Sequence, residues 1–169
     1  MMKNNQPEVW LRGALPDIPK LLQPAAHALL QSKEEVFKYT RDFPHALLWE
    51  KPAGRASVGF HLQHITGVLD RMLTYAEEKP LSKKQFEYLR NEGVENPEVK
   101  MDDLTHAFSE KVAQALDIFK NTPETILTEQ RGVGRKQLPS SVIGLYFHAA
   151  EHSQRHIGQM LVTISVLKP

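Results

Sequence analysis

Residues 146–160 read Tyr146-Phe-His-Ala-Ala-Glu-His-Ser-Gln-Arg-His-Ile-Gly-Gln-Met160, and within them His148, His152 and His156 recur every four residues. Four residues of an α-helix turn through about 400°, so each imidazole stands roughly 40° around and 6 Å along from the one before. The three form a slowly drifting stripe on one helix face, where neighbours can converge on a single ion. Phe147 and Ile157 flank the stripe and Leu161 and Ile164 lie beyond it, so it borders the buried side. The spacing predicts a long helix capped by Ser140 or Ser141 and running to about Leu167.

A His-x-x-x-His pair on a helix supplies two imidazole ligands to a first-row metal, and two nitrogens alone hold such an ion weakly. A third ligand has to come from elsewhere. The candidate donor is a second apolar, helix-like run, Phe60-His61-Leu62-Gln63-His64-Ile65. There His64 is the better ligand, because Ile65, Val68 and Met72 continue its side into the core; His61 either lines a pocket or is exposed. On the last helix His152 and His156 are the chosen pair, with His148 one turn before them. The expected metal ligands are therefore His64, His152 and His156. His27, His45 and His106 are isolated and read as surface or hydrogen-bonded core residues.

Working outward, four amphipathic segments emerge. The first runs from about Lys20 to Asp42 on Leu21, Leu22, Ala25, Ala28, Leu29, Val36, Phe37 and Tyr39, and closes at Phe43-Pro44. Ser57 caps the second, which reaches about Glu78. Asp102 or Asp103 opens the third, whose Leu104, Ala107, Phe108, Val112, Ala115, Leu116 and Phe119 fall at spacings of three and four. The histidine helix is the fourth. Ser82 caps a short extra helix to Leu89, and residues 125–139 read as a long loop or a two-stranded ribbon. Residues 1–19, with Pro7, Pro16 and Pro19, read as an extended lead-in pinned by Val9, Trp10 and Leu11. The fold class expected is all-α, a four-helix bundle with long crossover connections, formed as a single domain over residues 1–169.

The chain of 169 residues is 41% hydrophobic and 24% charged, an ordinary composition for a soluble domain. Its 21 Lys plus Arg against 20 Asp plus Glu leave a net charge of +1, which gives no electrostatic reason to expect nucleic acid or an anionic membrane as partner. Cysteine is absent, which excludes disulfides, thiolate-metal sites and a cysteine nucleophile. A polar N-terminus and the lack of a spanning apolar run make a cytoplasmic protein the expectation.

Other motifs fail. Gly132-Val-Gly134-Arg-Lys136 lacks the ending of a phosphate loop and reads as a turn. No Gly-x-Ser-x-Gly element is present. Glu151 directly precedes His152, so it points to another side of the helix and does not form a His-Glu-x-x-His motif.

Ser57-Val-Gly-Phe-His-Leu-Gln-His64 with Asp70-Arg71, and Glu151-His152-Ser-Gln-Arg-His156-Ile-Gly-Gln159, resemble the two signatures of the DinB/YfiT-like superfamily. The likeness extends in layout from about Pro19 to Leu167. It implies a four-helix bundle in which one histidine of the second helix and two of the fourth hold a divalent metal, with water completing the shell. Carried over residue by residue, these are His64, His152 and His156. Members are commonly described as metal-dependent hydrolases, relatives include thiol-dependent transferases and isomerases using bacillithiol or mycothiol, and many are homodimers.

The functional expectation is a metal-dependent hydrolase acting through a water on the three-histidine site. The alternatives are a thiol-dependent transferase, whose thiol would come from outside the protein, and a metal-dependent binding or stress-response protein without turnover. Affinity trends make zinc or nickel the expected ion. The small-molecule substrate is unspecified. Trp49, Phe60, Phe147 and Met160 are the expected apolar wall, with Gln63, Arg155 and Gln159 as polar contacts.

Overall fold

Ser57 and Ser141 start the two helices that carry the histidines, each by the same device. The Ser57 hydroxyl accepts from the Phe60 amide at 3.1 Å, and the Ser141 hydroxyl accepts from Gly144 at 3.2 Å. Each serine thus satisfies an amide that the first helical turn leaves unpaired. The computed structural model describes residues 6–168, so the part of the polar N-terminus at residues 1–5 lies outside the described residues.

Five helices follow in order: α1 (Gln23–Thr40), α2 (Val58–Ala76), α3 (Lys83–Asn91), α4 (Met101–Lys120) and α5 (Val142–Leu167). Between α4 and α5, strands β1 (Gln130–Val133) and β2 (Leu138–Ser141) pair antiparallel, with Gln130 opposite Ser141 and Val133 opposite Leu138. The expected ribbon is present, and Gly134, at φ 67°, takes up the turn between its strands.

The four long helices form the bundle. α2 and α1 each pack against both α5 and α4, giving the ring order α1–α5–α2–α4. Consecutive helices α1 and α2 therefore occupy opposite corners, as do α4 and α5, so their connections have to cross an end of the bundle. The all-α four-helix bundle with long crossovers is the fold observed.

Its core draws on the expected stripes and, beyond them, on Leu62 and on Met160, which was expected in a pocket wall. Leu29 and Val36 of α1, Leu62, Ile65 and Leu69 of α2, Phe108, Val112 and Phe119 of α4, and Ile157 and Met160 of α5 are all fully buried. Each such large side chain contributes about 1.5–3 kcal/mol relative to an exposed position. Three expectations need correction. Of the three residues expected to pin the lead-in only Val9 is buried; Trp10 and Leu11 are more than half exposed. Leu21 sits in a 3-10 turn before α1, whose tighter winding aims it at solvent at 58% exposure. Phe37 lies at the edge of the α1 stripe and packs on His106.

The short helix α3 is unlike the rest, since none of its residues is buried. Polar contacts hold it to α2: Gln85 Nε2 donates to Asp70 Oδ2 and to Thr74 Oγ1, both at 2.7 Å, and the Tyr88 hydroxyl donates to the Gln63 carbonyl at 3.1 Å. Among the described residues no helix is long and apolar enough to cross a membrane.

Candidate metal centre

The helical repeats that place His61 and His64 on one side of α2, and His148, His152 and His156 along α5, meet where α2 packs on α5. There His64 Nε2 lies 3.0 Å from His152 Nε2, and His61 Nδ1 lies 3.0 Å from His156 Nδ1. The rings of His64 and His156, and of His152 and His156, have centroids 4.6 Å apart. One ring nitrogen from each of His64, His152 and His156 falls within 4.8 Å of the other two. The structure thus brings together the three histidines chosen from the sequence, all half-buried.

His61 is the inward-facing alternative that the sequence left open. It is buried, at 2% exposure, and partners His156. His148 stands apart: its side chain is 45% exposed and its Nδ1 lies 2.9 Å from Glu151 Oε1. His148, Glu151 and His152 form a second group with ligand atoms close together, but Glu151 also accepts two bonds from Arg155 Nη2, at 2.6 and 2.7 Å.

Burial sets the charge state of the cluster. The pKa of His61 is pushed down to about 4 by desolvation, then by the neighbouring imidazoles of His156 and His64. His152 is likewise pushed down to about 4, by burial first and then by His156 and His64. His156 falls to about 4 through burial, His64 and Arg155. These imidazoles are neutral at pH 7, the form in which a nitrogen lone pair is free to bind a cation.

His64 is held from outside the cluster. Its Nδ1 lies 2.6 Å from Glu92 Oε2, and Glu92 Oε1 accepts from Arg71 Nη1 at 2.7 Å. The Glu92 side chain is 4% exposed and that of Arg71 8%. Gly67 makes room for this pair, since a Cβ there would lie 2.7 Å from Arg71 Nη1 and closer still to Glu92 Oε1. Gln63 secures the loop that delivers Glu92 by accepting from the Gly93 amide at 2.7 Å. Gly93 itself, at φ 77°, lies against Phe60, where a Cβ would come within 2.8 Å of Phe60 Cδ2.

Of the expected pocket wall only Phe60 touches the cluster, stacked on His64 with centroids 5.1 Å apart and planes at 14°. Phe147 is 61% exposed, Met160 is in the core, and Trp49 packs over Gly59. Gln63 is committed to Gly93 and Arg155 to Glu151, while Gln159 is exposed. Sequence reasoning missed Glu92. Arg71 was the available signal: it lies two turns after His64 on an apolar helix, and a guanidinium buried there requires a carboxylate.

The residues fit a divalent metal. Two Nε2 atoms facing each other at 3.0 Å need a proton or a cation between their lone pairs, and His152 Nδ1 is buried without a hydrogen-bond partner. Neutral imidazoles suit first-row ions. A helical bundle with such a histidine group at the seam of two helices belongs to the class of bundles able to hold a metal between facing helices.

The sequence profile of the DinB superfamily matches residues 28–160. That span takes in α2, α3 and α4, most of α1 and α5, and every histidine of the cluster, and the chain belongs to the DinB superfamily. No curated protein matches the chain.

Proposed function

We propose that this DinB-superfamily protein holds one divalent metal ion through His64, His152 and His156 and acts as a metal-dependent hydrolase on a small molecule. The convergence of three imidazoles from α2 and α5 on one point carries this reading. The group with His148 and Glu151 is the weaker ligand set, because Glu151 is engaged by Arg155 and His148 is exposed. Zinc or nickel suits the all-nitrogen donor set. A bound ion supplies a Lewis acid and lowers the pKa of a water at its open position.

The protein's own residues do the rest. His64 and His152 present Nε2 atoms towards one point, and His61 fixes the ring of His156 through its Nδ1. Phe60 covers the flat face of His64 and gives the site one apolar side. A substrate approaching there meets an aromatic face, and the two nearby carboxylates are already engaged, Glu92 by His64 and Arg71 and Glu151 by His148 and Arg155. Association as a homodimer, a cytoplasmic location and independence from nucleic acid and membranes belong to the same proposal, as does folding as a single domain.

A thiol-dependent transferase uses the same histidines, and the chain has no cysteine of its own to mimic the thiol. Cobalt substitution separates the two activities. Titration of the cobalt protein with bacillithiol, mycothiol and glutathione should leave its visible spectrum without a sulfur charge-transfer band, while ester and amide substrates are turned over. An intense band with one of the thiols would replace hydrolysis by thiol transfer. A cobalt protein inert in both assays would leave a metal-dependent binding protein.

A further inference from the structure

Glu92 lies outside the histidine group, yet it is the best-buried carboxylate in contact with it. It sits at the C-terminal cap of α3, a helix that buries no residue of its own. The closure of α3 over α2 therefore delivers one acid side chain, and that side chain reaches two groups: His64 Nδ1 at 2.6 Å and Arg71 Nη1 at 2.7 Å. Four features of α2 serve this delivery: Gly67 leaves space, Arg71 supplies the counter-charge, Gln63 clamps Gly93, and Phe60 packs beside the loop.

We infer that Glu92, anchored by Arg71, is a positioning residue that fixes the tautomer and ring orientation of His64 for metal binding. The inference rests on the proposed metal site and deepens it. A carboxylate only accepts hydrogen bonds, so a 2.6 Å contact requires the proton on His64 Nδ1. His64 Nε2 then carries a bare lone pair, and it is the atom that faces His152 Nε2. A ligating histidine whose other nitrogen donates to a carboxylate is held in one orientation, and loss of such a partner costs about 10- to 100-fold in metal affinity. Arg71 makes the arrangement directional. Its guanidinium can only donate, so it holds Oε1 and leaves Oε2 for the imidazole.

The Glu92→Gln substitution provides a sharp test, because an amide has one acceptor where the carboxylate has two. The guanidinium takes the amide oxygen, and the amide nitrogen is left facing His64 Nδ1 as a donor. His64 must then accept at Nδ1 and carry its proton on Nε2, the wrong tautomer for the site. Nitrogen-15 NMR of the metal-free protein at neutral pH reads this directly, with the His64 signals assigned by comparison with His64→Asn. Wild type is expected to show a protonated Nδ1 and a bare Nε2, and Glu92→Gln the reverse. Zinc affinity measured by competition with a chromophoric chelator should fall about 10- to 100-fold in the variant. Gln85→Ala, which releases the Asp70 and Thr74 contacts of α3 without touching the imidazole, should keep the wild-type tautomer and affinity. An unchanged His64 tautomer in Glu92→Gln overturns the inference, as does an equal effect of Gln85→Ala, which would reduce Glu92 to a docking contact. Wild-type protein that takes up no zinc would defeat the metal site instead, while the tautomer measurement still decides the role of Glu92.

Discussion

His64 Nε2 and His152 Nε2 face each other at 3.0 Å across the seam between α2 and α5. The two atoms belong to residues 88 positions apart, so only the folded bundle creates the pair. An ion held by both histidines would tie the second helix to the last, and its binding energy would become folding energy.

Metal removal should therefore lower stability. Ligand at about 100 times its dissociation constant adds roughly 2.7 kcal/mol to a folded state that alone binds it. For a chain of this size that corresponds to a melting temperature roughly 5–10 °C higher. Calorimetry before and after chelation at neutral pH measures the shift. Identical transitions would mean that no ion bridges the helices.

The metal-free protein should lose stability in acid over a defined window. His61, His152 and His156 have pKa values of about 4 in the folded state against 6.5 for an unperturbed histidine. Between those values the unfolded chain binds more protons than the folded one, so stability rises with pH there. The contribution is complete above about pH 6.5 and is lost as pH falls towards 4. Denaturant titrations across that range should show a declining midpoint, less steep in His61→Leu. A midpoint that stays flat from pH 6.5 to 4 contradicts the burial argument.

His61 should tune the site without belonging to it. With a proton on His156 Nδ1, His61 Nδ1 accepts and His156 Nε2 is left for an ion. His61→Ala should keep one metal per chain and weaken affinity by about tenfold. His148→Ala, with its exposed ring, should leave affinity unchanged. Loss of the ion from His61→Ala would make His61 a direct ligand.

Gly67→Ala should separate local packing from global stability. The added methyl meets the side-chain ends of Glu92 and Arg71 and the Tyr88 ring at 2.9 Å, all at the contact with α3 and outside the bundle core, so the melting temperature should move little. Displacing those ends should loosen α3, and amide exchange over Lys83–Asn91 should accelerate. Unaltered exchange there would show that the pair adapts without releasing α3.

The helices were legible where local chemistry fixes them. Ser57 and Ser141 announce their helices by capping, and the spacing of Leu104, Phe108, Val112, Ala115 and Phe119 gives the buried face of α4. The four-residue histidine repeat, with His64 on an apolar face, was enough to pick the group that the fold assembles. Glu92 was not legible. It lies 28 residues from His64 on a helix without a buried residue, and only the docking of α3 brings the two together. Phe147 and Met160 were both assigned to a pocket wall, but α5 turns Phe147 to solvent and Met160 into the core. That rotation depends on how α5 packs against two neighbours at once, which a single helix pattern does not contain.

Elemental analysis of untagged protein and its single alanine variants tests the central claim most directly. Wild type should carry one divalent ion per chain, and His64→Ala, His152→Ala and His156→Ala should each lose it while remaining folded by circular dichroism. Full occupancy retained in His64→Ala, or no metal in the wild type after reconstitution with zinc and nickel, would contradict a site shared between α2 and α5.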